Sequence, residues 1–123
     1  MPSNALSGLR VLLLEDEYLI AMDVELLCSE NGAAEIVTKR SLEELEQMGG
    51  LESFDVAILD LMLAGVSTLP FAERLRKNDV PFIFASGYAD EHVTSAFPDI
   101  RAVSKPYSGS DLVEAIAATA RRC

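Results

Sequence analysis

Long hydrophobic runs are absent from this 123-residue chain, and no stretch of about eighteen apolar residues predicts a transmembrane helix. Residues 1–5 provide no basic segment followed by an apolar stretch, so no secretory signal is expected. The two cysteines, Cys28 in a helical pattern and Cys123 at the last position, are too few for a disulfide framework. We therefore expect Cys28 to be a small core residue in a protein of the reducing cytoplasm.

Positive charge is also scarce: ten Lys and Arg residues stand against twenty Asp and Glu residues, for a net charge of −10. This balance argues against nucleic acid and anionic membranes as partners. Half of the residues are hydrophobic, which is enough for one globular core. Strand and helix patterns extend from about residue 9 to residue 121 and leave no room for a second domain, so residues 1–123 are expected to form a single domain.

Strand-like and helix-like segments alternate along the chain, which predicts an α/β fold with a doubly wound parallel sheet. A capping box, Ser41 with Glu44, predicts the start of the second helix, and the segment 64–67 is expected to be a loop. The five strands are predicted at 10–15, 34–37, 54–60, 82–86 and 102–104, and the helices at 17–31, 41–48, 70–77, before Pro98 and from about 108.

Polar side chains follow four of the predicted strands. Glu15 and Asp16 follow the first strand, Asp60 ends the third, Ser86 ends the fourth and Lys105 follows the fifth. The carboxyl ends of parallel strands lie along one edge of a sheet, where ligands bind, so these five side chains are expected to lie together. Each alone has an ordinary explanation as a cap, a turn residue or a surface charge. Their joint occurrence in this order favours a functional site.

These residue types suit phosphoryl transfer. Glu15, Asp16 and Asp60 supply the carboxylate oxygens that Mg²⁺ prefers. Asp60 can act as a nucleophile toward phosphorus once a cation neutralises the local charge. Ser86 and Lys105 can hold the transferred phosphoryl oxygens by hydrogen bond and by charge. The reaction needs mainly positioning and charge neutralisation, and this set of residues provides both.

With these residues in this order, the chain resembles the receiver domain of bacterial two-component response regulators over nearly its full length. The resemblance implies a flavodoxin-like (βα)5 fold whose five-stranded sheet has the order 2-1-3-4-5. It implies that a sensor histidine kinase or a phosphotransfer protein phosphorylates Asp60. It also implies a Mg²⁺ ion held by Asp16, Asp60, the backbone carbonyl of Met62 and, through water, Glu15. Such a domain is a phosphoryl acceptor for signalling. It catalyses its own phosphotransfer and dephosphorylation, and it is not an enzyme acting on a separate substrate.

A narrower resemblance lies in residues 81–88, PFIFASGY, which are similar to the signature of the FAT GUY receivers in their stand-alone form. Receivers of this group commonly pair with histidine kinases of the HWE type. Ser86 replaces the usual threonine and lacks the branch that restricts its rotamer. Ala102 stands where receivers usually carry an aromatic switch residue, so the usual switch cannot be carried over. Tyr88 or Phe84 is either a substitute for it or a packing residue.

Three other functions compete with this interpretation. A pseudo-receiver, a binding module of the same fold that acts without phosphorylation, is opposed by the complete site and favoured by Ala102. A phosphatase of the haloacid dehalogenase type needs a second Asp where this chain has Met62. Nucleotide or flavin binding is unsupported because no glycine-rich phosphate loop is present. His92, the single histidine, is expected to be a surface helix residue.

The output of the domain is expected to come from a protein–protein contact. Phosphate would draw Ser86 and Lys105 inward and remodel the segment 86–90 and the surface at residues 102–108. This surface would bind an unknown downstream protein. The alternative, a domain that only drains phosphoryl groups from a kinase, stays equally open.

Overall fold

The computed structural model describes residues 4–86, 97, 99–104 and 109–120, with only the backbone described at Ser86 and Ser104. Its helices are α1 (Tyr18–Glu30), α2 (Leu42–Glu46), α3 (Leu69–Lys77) and α4 (Gly109–Thr119), and a short 3₁₀ turn covers Leu51–Ser53. Its strands are β1 (Arg10–Leu14), β2 (Glu35–Lys39), β3 (Val56–Asp60), β4 (Met62–Leu63), β5 (Val66–Ser67), β6 (Phe82–Ser86) and β7 (Ala102–Ser104).

Five strands pair in parallel in the order β2-β1-β3-β6-β7. The predicted order 2-1-3-4-5 is therefore confirmed, with β6 and β7 as the fourth and fifth strands of the sheet. Leu14 pairs with both Lys39 and Leu59, so the carboxyl ends of β2, β1 and β3 are flush. The helix predicted before Pro98 lies outside the described residues.

Two hydrophobic cores, one on each face of the sheet, hold the helices in place. Side chains alternate between the two faces along each strand. On β1, Val11 and Leu13 pack toward α1 and α4, whereas Leu12 and Leu14 pack toward α2 and α3. The strands are accordingly apolar on both faces, as a sheet covered by helices on both sides requires. In the part of the chain that the structure describes, no helix combines the length and the hydrophobicity that crossing a membrane requires.

Cys28 lies on the core-facing side of α1, where its side chain is fully buried and forms no disulfide. Its expected role as a small core residue is confirmed. Burial, reinforced by the charge of Glu25, raises the pKa of the Cys28 thiol to about 12. The thiol therefore stays protonated at physiological pH. Cys123 lies outside the described residues.

Several boundaries differ from the sequence-based prediction. The second strand extends to Lys39, and α2 ends at Glu46, well before the two glycines at 49–50. Ser41 Oγ accepts the Glu44 N–H at 3.3 Å, as the capping box requires. The carboxylate of Glu44, however, accepts the backbone N–H of Arg40 at 2.6 Å rather than that of Ser41. This contact joins the end of β2 to the start of α2.

The prediction of a loop at residues 64–67 is correct for Ala64 and Gly65, which form a turn, and wrong for Val66 and Ser67, which form a strand. β4 and β5 form an antiparallel hairpin with only two residues, Ala64 and Gly65, in its turn. Both turn residues have positive φ, 51° and 81°, as expected for a type I′ turn, whose twist matches that of the flanking strands. The hairpin was not predictable because strands of two residues show no periodicity in a sequence. Alanine is also an unusual residue at a turn position with positive φ.

Ala64→Asn should stabilise the protein by about 0.5–1 kcal/mol, because asparagine followed by glycine is the pair that type I′ turns favour. Ala64→Val should instead destabilise it by roughly 1–2 kcal/mol, since a β-branched residue resists positive φ. Unfolding in urea measures both values. Equal stabilities of the two variants would contradict the turn described here.

Candidate functional site

Three carboxylates meet at the carboxyl edge of the sheet. Glu15 and Asp16 follow β1 directly, and Asp60 is the last residue of β3. One oxygen from each lies within 4.8 Å of the other two. Glu15 is buried, and Asp16 and Asp60 are half-buried. Because β1 and β3 are adjacent parallel strands with matched ends, the fold itself forces these like charges together.

Backbone hydrogen bonds fix the position of Glu15. Its N–H donates to the Lys39 carbonyl at 3.1 Å, which extends the pairing of β1 and β2 by one step. Its side-chain Oε2 accepts the Glu17 N–H at 3.2 Å. A buried carboxylate with two acidic neighbours is unfavourable unless donors or a cation compensate the charge. The site therefore favours a cation.

The hairpin contacts the site through Asp16. The Ala64 N–H donates to Asp16 Oδ2 at 3.2 Å. The β4–β5 turn is thereby joined to the loop after β1, across 48 positions of sequence. This hydrogen bond orients one oxygen of the Asp16 carboxylate.

Thr68 fixes the backbone at Asp60, and the sequence analysis did not identify it. Its fully buried hydroxyl donates to the Asp60 carbonyl at 2.7 Å and contacts the Leu61 carbonyl at 3.2 Å. Its own N–H donates to the Leu61 carbonyl at 3.0 Å. The only sequence signal is a threonine just before a helix, which normally indicates a cap, yet the Thr68 side chain makes no capping bond to α3.

Of the other predicted site residues, the structure describes the backbone of Ser86 and all of Met62. Ser86 ends β6 and pairs with Ser104, while its neighbour Ala85 pairs with Asp60. The Ser86 side chain is not described, and Lys105 lies outside the described residues. Met62 begins the hairpin, with its side chain about half exposed at 53%.

A cation that was not predicted, Arg40, lies beside the carboxylates. It directly follows β2, and its Nη2 donates to the backbone carbonyl of Asp16 at 3.2 Å. Its guanidinium carbon lies 5.7 Å from the centre of the Tyr18 ring, at the distance of a cation–π contact. Nothing local in the sequence links Arg40 to Asp16, which is 24 positions earlier.

Phe84, one of the two possible substitutes for the aromatic switch residue, is a core residue in this structure. It is 1% exposed, and its ring packs edge-on against Phe82 and Phe97 at centroid distances of 5.5 and 5.6 Å. Such contacts favour a fixed ring. Tyr88 lies outside the described residues, as do His92 and residues 105–108 of the expected partner-binding surface. Ala102 is exposed at the start of β7.

The donor set fits a hard divalent cation. All three converging side chains offer carboxylate oxygen, the ligand type that Mg²⁺ takes, and among the described residues no histidine or cysteine joins the cluster. Two of the carboxylates already accept one backbone N–H each, and these bonds orient them. The arrangement can hold a cation next to a carboxylate, Asp60, at the carboxyl edge of the sheet.

Known proteins with similar sequences and structures are signalling proteins. RegX3, a sensory transduction protein of Mycobacterium tuberculosis, is 33% identical over 119 residues, which make up 91% of this chain and 51% of RegX3. The response regulator PhyR from Brucella abortus has a TM-score of 0.76 at 27% identity, over 93% of this chain and 48% of that one. The anti-anti-sigma factor PhyR from Bartonella quintana has a TM-score of 0.74 at 25% identity, over 89% and 47%.

The chain spans about half the length of the curated relatives that it matches. The model of one protein family, the response regulator receiver domain, matches residues 11–117. That range runs from the second residue of β1 to near the end of α4 and includes the whole carboxylate cluster. On this evidence, the chain belongs to the response regulator receiver domain family, whose members are the signalling domains of two-component systems.

Proposed function

We propose that Asp60 accepts a phosphoryl group from a phosphohistidine on a partner histidine kinase or phosphotransfer protein. The observation that carries this proposal is the meeting of Asp60 with Glu15 and Asp16 within 4.8 Å at the carboxyl edge of the sheet. A carboxylate in that setting is a nucleophile held beside a cation site. The Thr68 hydroxyl, bonded to the Asp60 carbonyl, keeps the nucleophile in place.

The reaction is a transfer between two nucleophiles. One carboxylate oxygen of Asp60 attacks phosphorus and forms an oxygen–phosphorus bond, while the nitrogen–phosphorus bond of the phosphohistidine breaks. The imidazole, protonated at its other ring nitrogen, keeps the electron pair of the broken bond and leaves as the neutral ring, and Asp60 becomes an acyl phosphate. Later attack of water on the same phosphorus returns the free carboxylate and releases phosphate, so the domain also ends its own signal.

Mg²⁺, when bound, supplies charge neutralisation between the carboxylates and the phosphoryl oxygens. Asp16 and Asp60 would hold it directly, and Glu15 would hold it through water. The fourth proposed ligand is the backbone carbonyl of Met62. Met62 and Ser67 are the second pair from the hairpin turn, which in a two-residue hairpin is a non-hydrogen-bonded pair. The hairpin therefore leaves the Met62 carbonyl oxygen available.

Ser86 and Lys105 would bind the phosphoryl oxygens of phospho-Asp60 and so carry the signal outward. Support for this comes from position: Ser86 ends β6 beside Asp60's own strand, and Lys105 follows Ser104, which pairs with Ser86. Their movement would change the segment 86–90 and the surface at residues 102–108. That surface would bind a downstream protein. The likeness to PhyR of Bartonella quintana, an anti-anti-sigma factor, favours a protein of sigma-factor regulation over a phosphate sink.

The motif in residues 81–88 supports the narrower assignment to the FAT GUY receivers and, with it, to kinases of the HWE type. We propose in addition that the described strands and helices work as one receiver domain, whose output depends on partner binding. The pseudo-receiver alternative is disfavoured because the acidic cluster has the donor set of a working cation site.

An exposed apolar stripe on α1 is proposed as the docking surface for the phosphoryl donor. Tyr18, Leu19, Met22 and Leu26 repeat at helical spacing and are 60%, 75%, 46% and 61% exposed. Leu19, the most exposed residue of this stripe, therefore does not face the core. An exposed stripe of this kind is typical of an interaction surface.

The position and charge of the stripe indicate its occupant. α1 begins two residues after Asp16, so a protein bound along the stripe lies next to the site. Exposed acidic residues, Glu17, Asp23 and Glu30, flank it. This charge disfavours a second copy of this chain, whose net charge is −10, and favours a partner that presents apolar and basic side chains. A helical donor protein carrying the phosphohistidine would meet these requirements.

Asp60→Asn should abolish phosphorylation while leaving the fold intact, because the amide is nearly isosteric with the carboxylate and is not a nucleophile toward phosphorus. Incubation with acetyl phosphate and Mg²⁺, followed by intact mass measurement, should show one added phosphoryl group on the wild type and none on the variant. Glu73→Gln, which removes an exposed carboxylate of α3, is the matched control and should be phosphorylated normally. Undiminished incorporation in Asp60→Asn would identify another acceptor.

Asp16→Ala should weaken Mg²⁺ binding at least about tenfold, since it removes one of the three carboxylates that cluster among the described residues. Isothermal titration calorimetry measures the affinity directly and does not depend on phosphorylation. Glu52→Gln, an exposed carboxylate in the 3₁₀ turn, serves as the control and should bind Mg²⁺ as the wild type does. An affinity of Asp16→Ala equal to that of the wild type would exclude Asp16 as a ligand.

The double variant Leu19→Ser, Leu26→Ser should slow phosphotransfer from the cognate kinase by about tenfold or more, because it removes the two most exposed leucines of the stripe. The probe is a profile of phosphotransfer from each purified, autophosphorylated histidine kinase of the organism. Phosphorylation by acetyl phosphate, which needs no docking surface, should be unchanged. A kinase profile identical to that of the wild type would place the docking surface elsewhere.

A further inference from the structure

We propose that Arg40 is a steering residue, which draws the anionic phosphoryl donor toward Asp60. The proposal rests on the function proposed above and concerns the same site. It adds a residue to the site besides the three carboxylates, Ser86 and Lys105. Its geometry and charge carry the argument.

The Arg40 guanidinium is held rigidly at the rim of the site. Its backbone is tied to the Glu44 carboxylate at 2.6 Å, so the residue cannot drift from the end of β2. Its side chain bonds the Asp16 carbonyl and lies over the Tyr18 ring. These two contacts use only part of a guanidinium that carries five N–H donors. The residue is exposed, so the remaining donors face solvent.

The charge of Arg40 is not cancelled by a carboxylate at ion-pair distance, as judged over residues 4–86 and the later described stretches. The arginines at the amino ends of the strands, on the side of the sheet away from the site, differ because their charges are paired. Arg10 pairs with Glu35 at 2.7 Å, and Arg101 approaches Glu114 at 3.6 Å. In a chain with a net charge of −10, an uncancelled cation at the mouth of the acidic site is the feature that an approaching anion meets.

Arg40 follows β2 and Asp60 ends β3, so the backbones of the two residues are separated by two strand spacings. β2 and β3 flank β1 in the sheet, and their ends are level. Adjacent strands lie about 4.8 Å apart, which separates these two strand ends by roughly 10 Å. This is close to the screening length of about 8–10 Å at 0.10–0.15 M salt, so the attraction should be strong in dilute buffer and weak in concentrated salt.

The positive charge of Arg40 should have the opposite effect on the metal ion. A cation that attracts the donor repels Mg²⁺ from the neighbouring carboxylates. Removing the charge should therefore slow phosphorylation at low donor concentration and tighten Mg²⁺ binding at the same time. Structural damage to the loop at Asp16 would lower both the rate of phosphorylation and the affinity for Mg²⁺. The two measurements together thus separate steering from a purely structural role.

The test compares Arg40→Gln, which keeps a hydrogen-bond donor and loses the charge, with Arg40→Lys, which keeps the charge. At about 20 mM ionic strength, the rate of Asp60 phosphorylation per unit of acetyl phosphate should fall about two- to fivefold in Arg40→Gln and recover in Arg40→Lys. The rate at saturating donor should be unchanged. The difference should vanish at about 0.5 M salt, where charges are screened within about 4 Å.

Arg101→Gln is the matched control, because it removes the same charge from the opposite edge of the sheet. It should leave the rate and the Mg²⁺ affinity unchanged. Mg²⁺ binding to Arg40→Gln, followed by calorimetry, should be about two- to threefold tighter than in the wild type.

Two results for Arg40→Gln would overturn the role of Arg40 and leave the proposed function standing. One is phosphorylation at the wild-type rate at low salt. The other is a loss of both the phosphorylation rate and the Mg²⁺ affinity. A wild-type protein that takes no phosphoryl group on Asp60 would overturn the proposed function and the steering role with it. Equal losses in Arg40→Gln and Arg101→Gln would show an effect of net charge rather than of a charge at the rim.

Discussion

The pairing of β3 between β1 and β6 is the constraint on which the site depends. Leu14 lies opposite Leu59, and Asp60 lies opposite Ala85, so the three parallel strands end within two residues of one another. This register alone decides that Glu15, Asp16 and Asp60 face one another. A slip of one residue would turn Asp60 toward the other face of the sheet and expose half of a buried strand. The packing that stabilises the sheet therefore also protects the geometry of the site.

The carboxylate cluster is stable only because the rest of the fold compensates for it. Burial of Glu15 beside two other acids opposes folding, whereas hydrogen bonds from the backbone to Glu15 and Asp16 favour it. Hydrogen bonds to charged groups contribute about 1.5–3 kcal/mol each. Two of the contacts come from distant segments, since the turn at Ala64 bonds the Asp16 carboxylate and Arg40 bonds its carbonyl. The loop after β1 is thus the point where β2, the hairpin and the site are joined.

The sequence predicts the sheet well because continuous apolar strands and polar strand ends are local patterns. The five parallel strands and the position of the acidic residues follow from such patterns, whereas the strand order was implied by the resemblance to receiver domains. The β4–β5 hairpin was missed because two-residue strands have no period. Thr68 and Arg40 were missed because their partners are defined by the fold, 8 and 24 positions away. Exposure of Leu19 was not predictable, since α1 is apolar around most of its circumference.

The two cores on opposite faces of the sheet differ in their chemistry. The layer under α1 contains Cys28, whose pKa of about 12 leaves almost no thiolate at neutral pH. Oxidants and alkylating reagents attack the thiolate, so Cys28 reacts only after α1 lifts from the sheet. The rate at which Cys28 is modified therefore reports how often α1 separates locally from the sheet. Because α1 also carries the exposed stripe beside the site, a protein bound to this helix would slow the modification of Cys28.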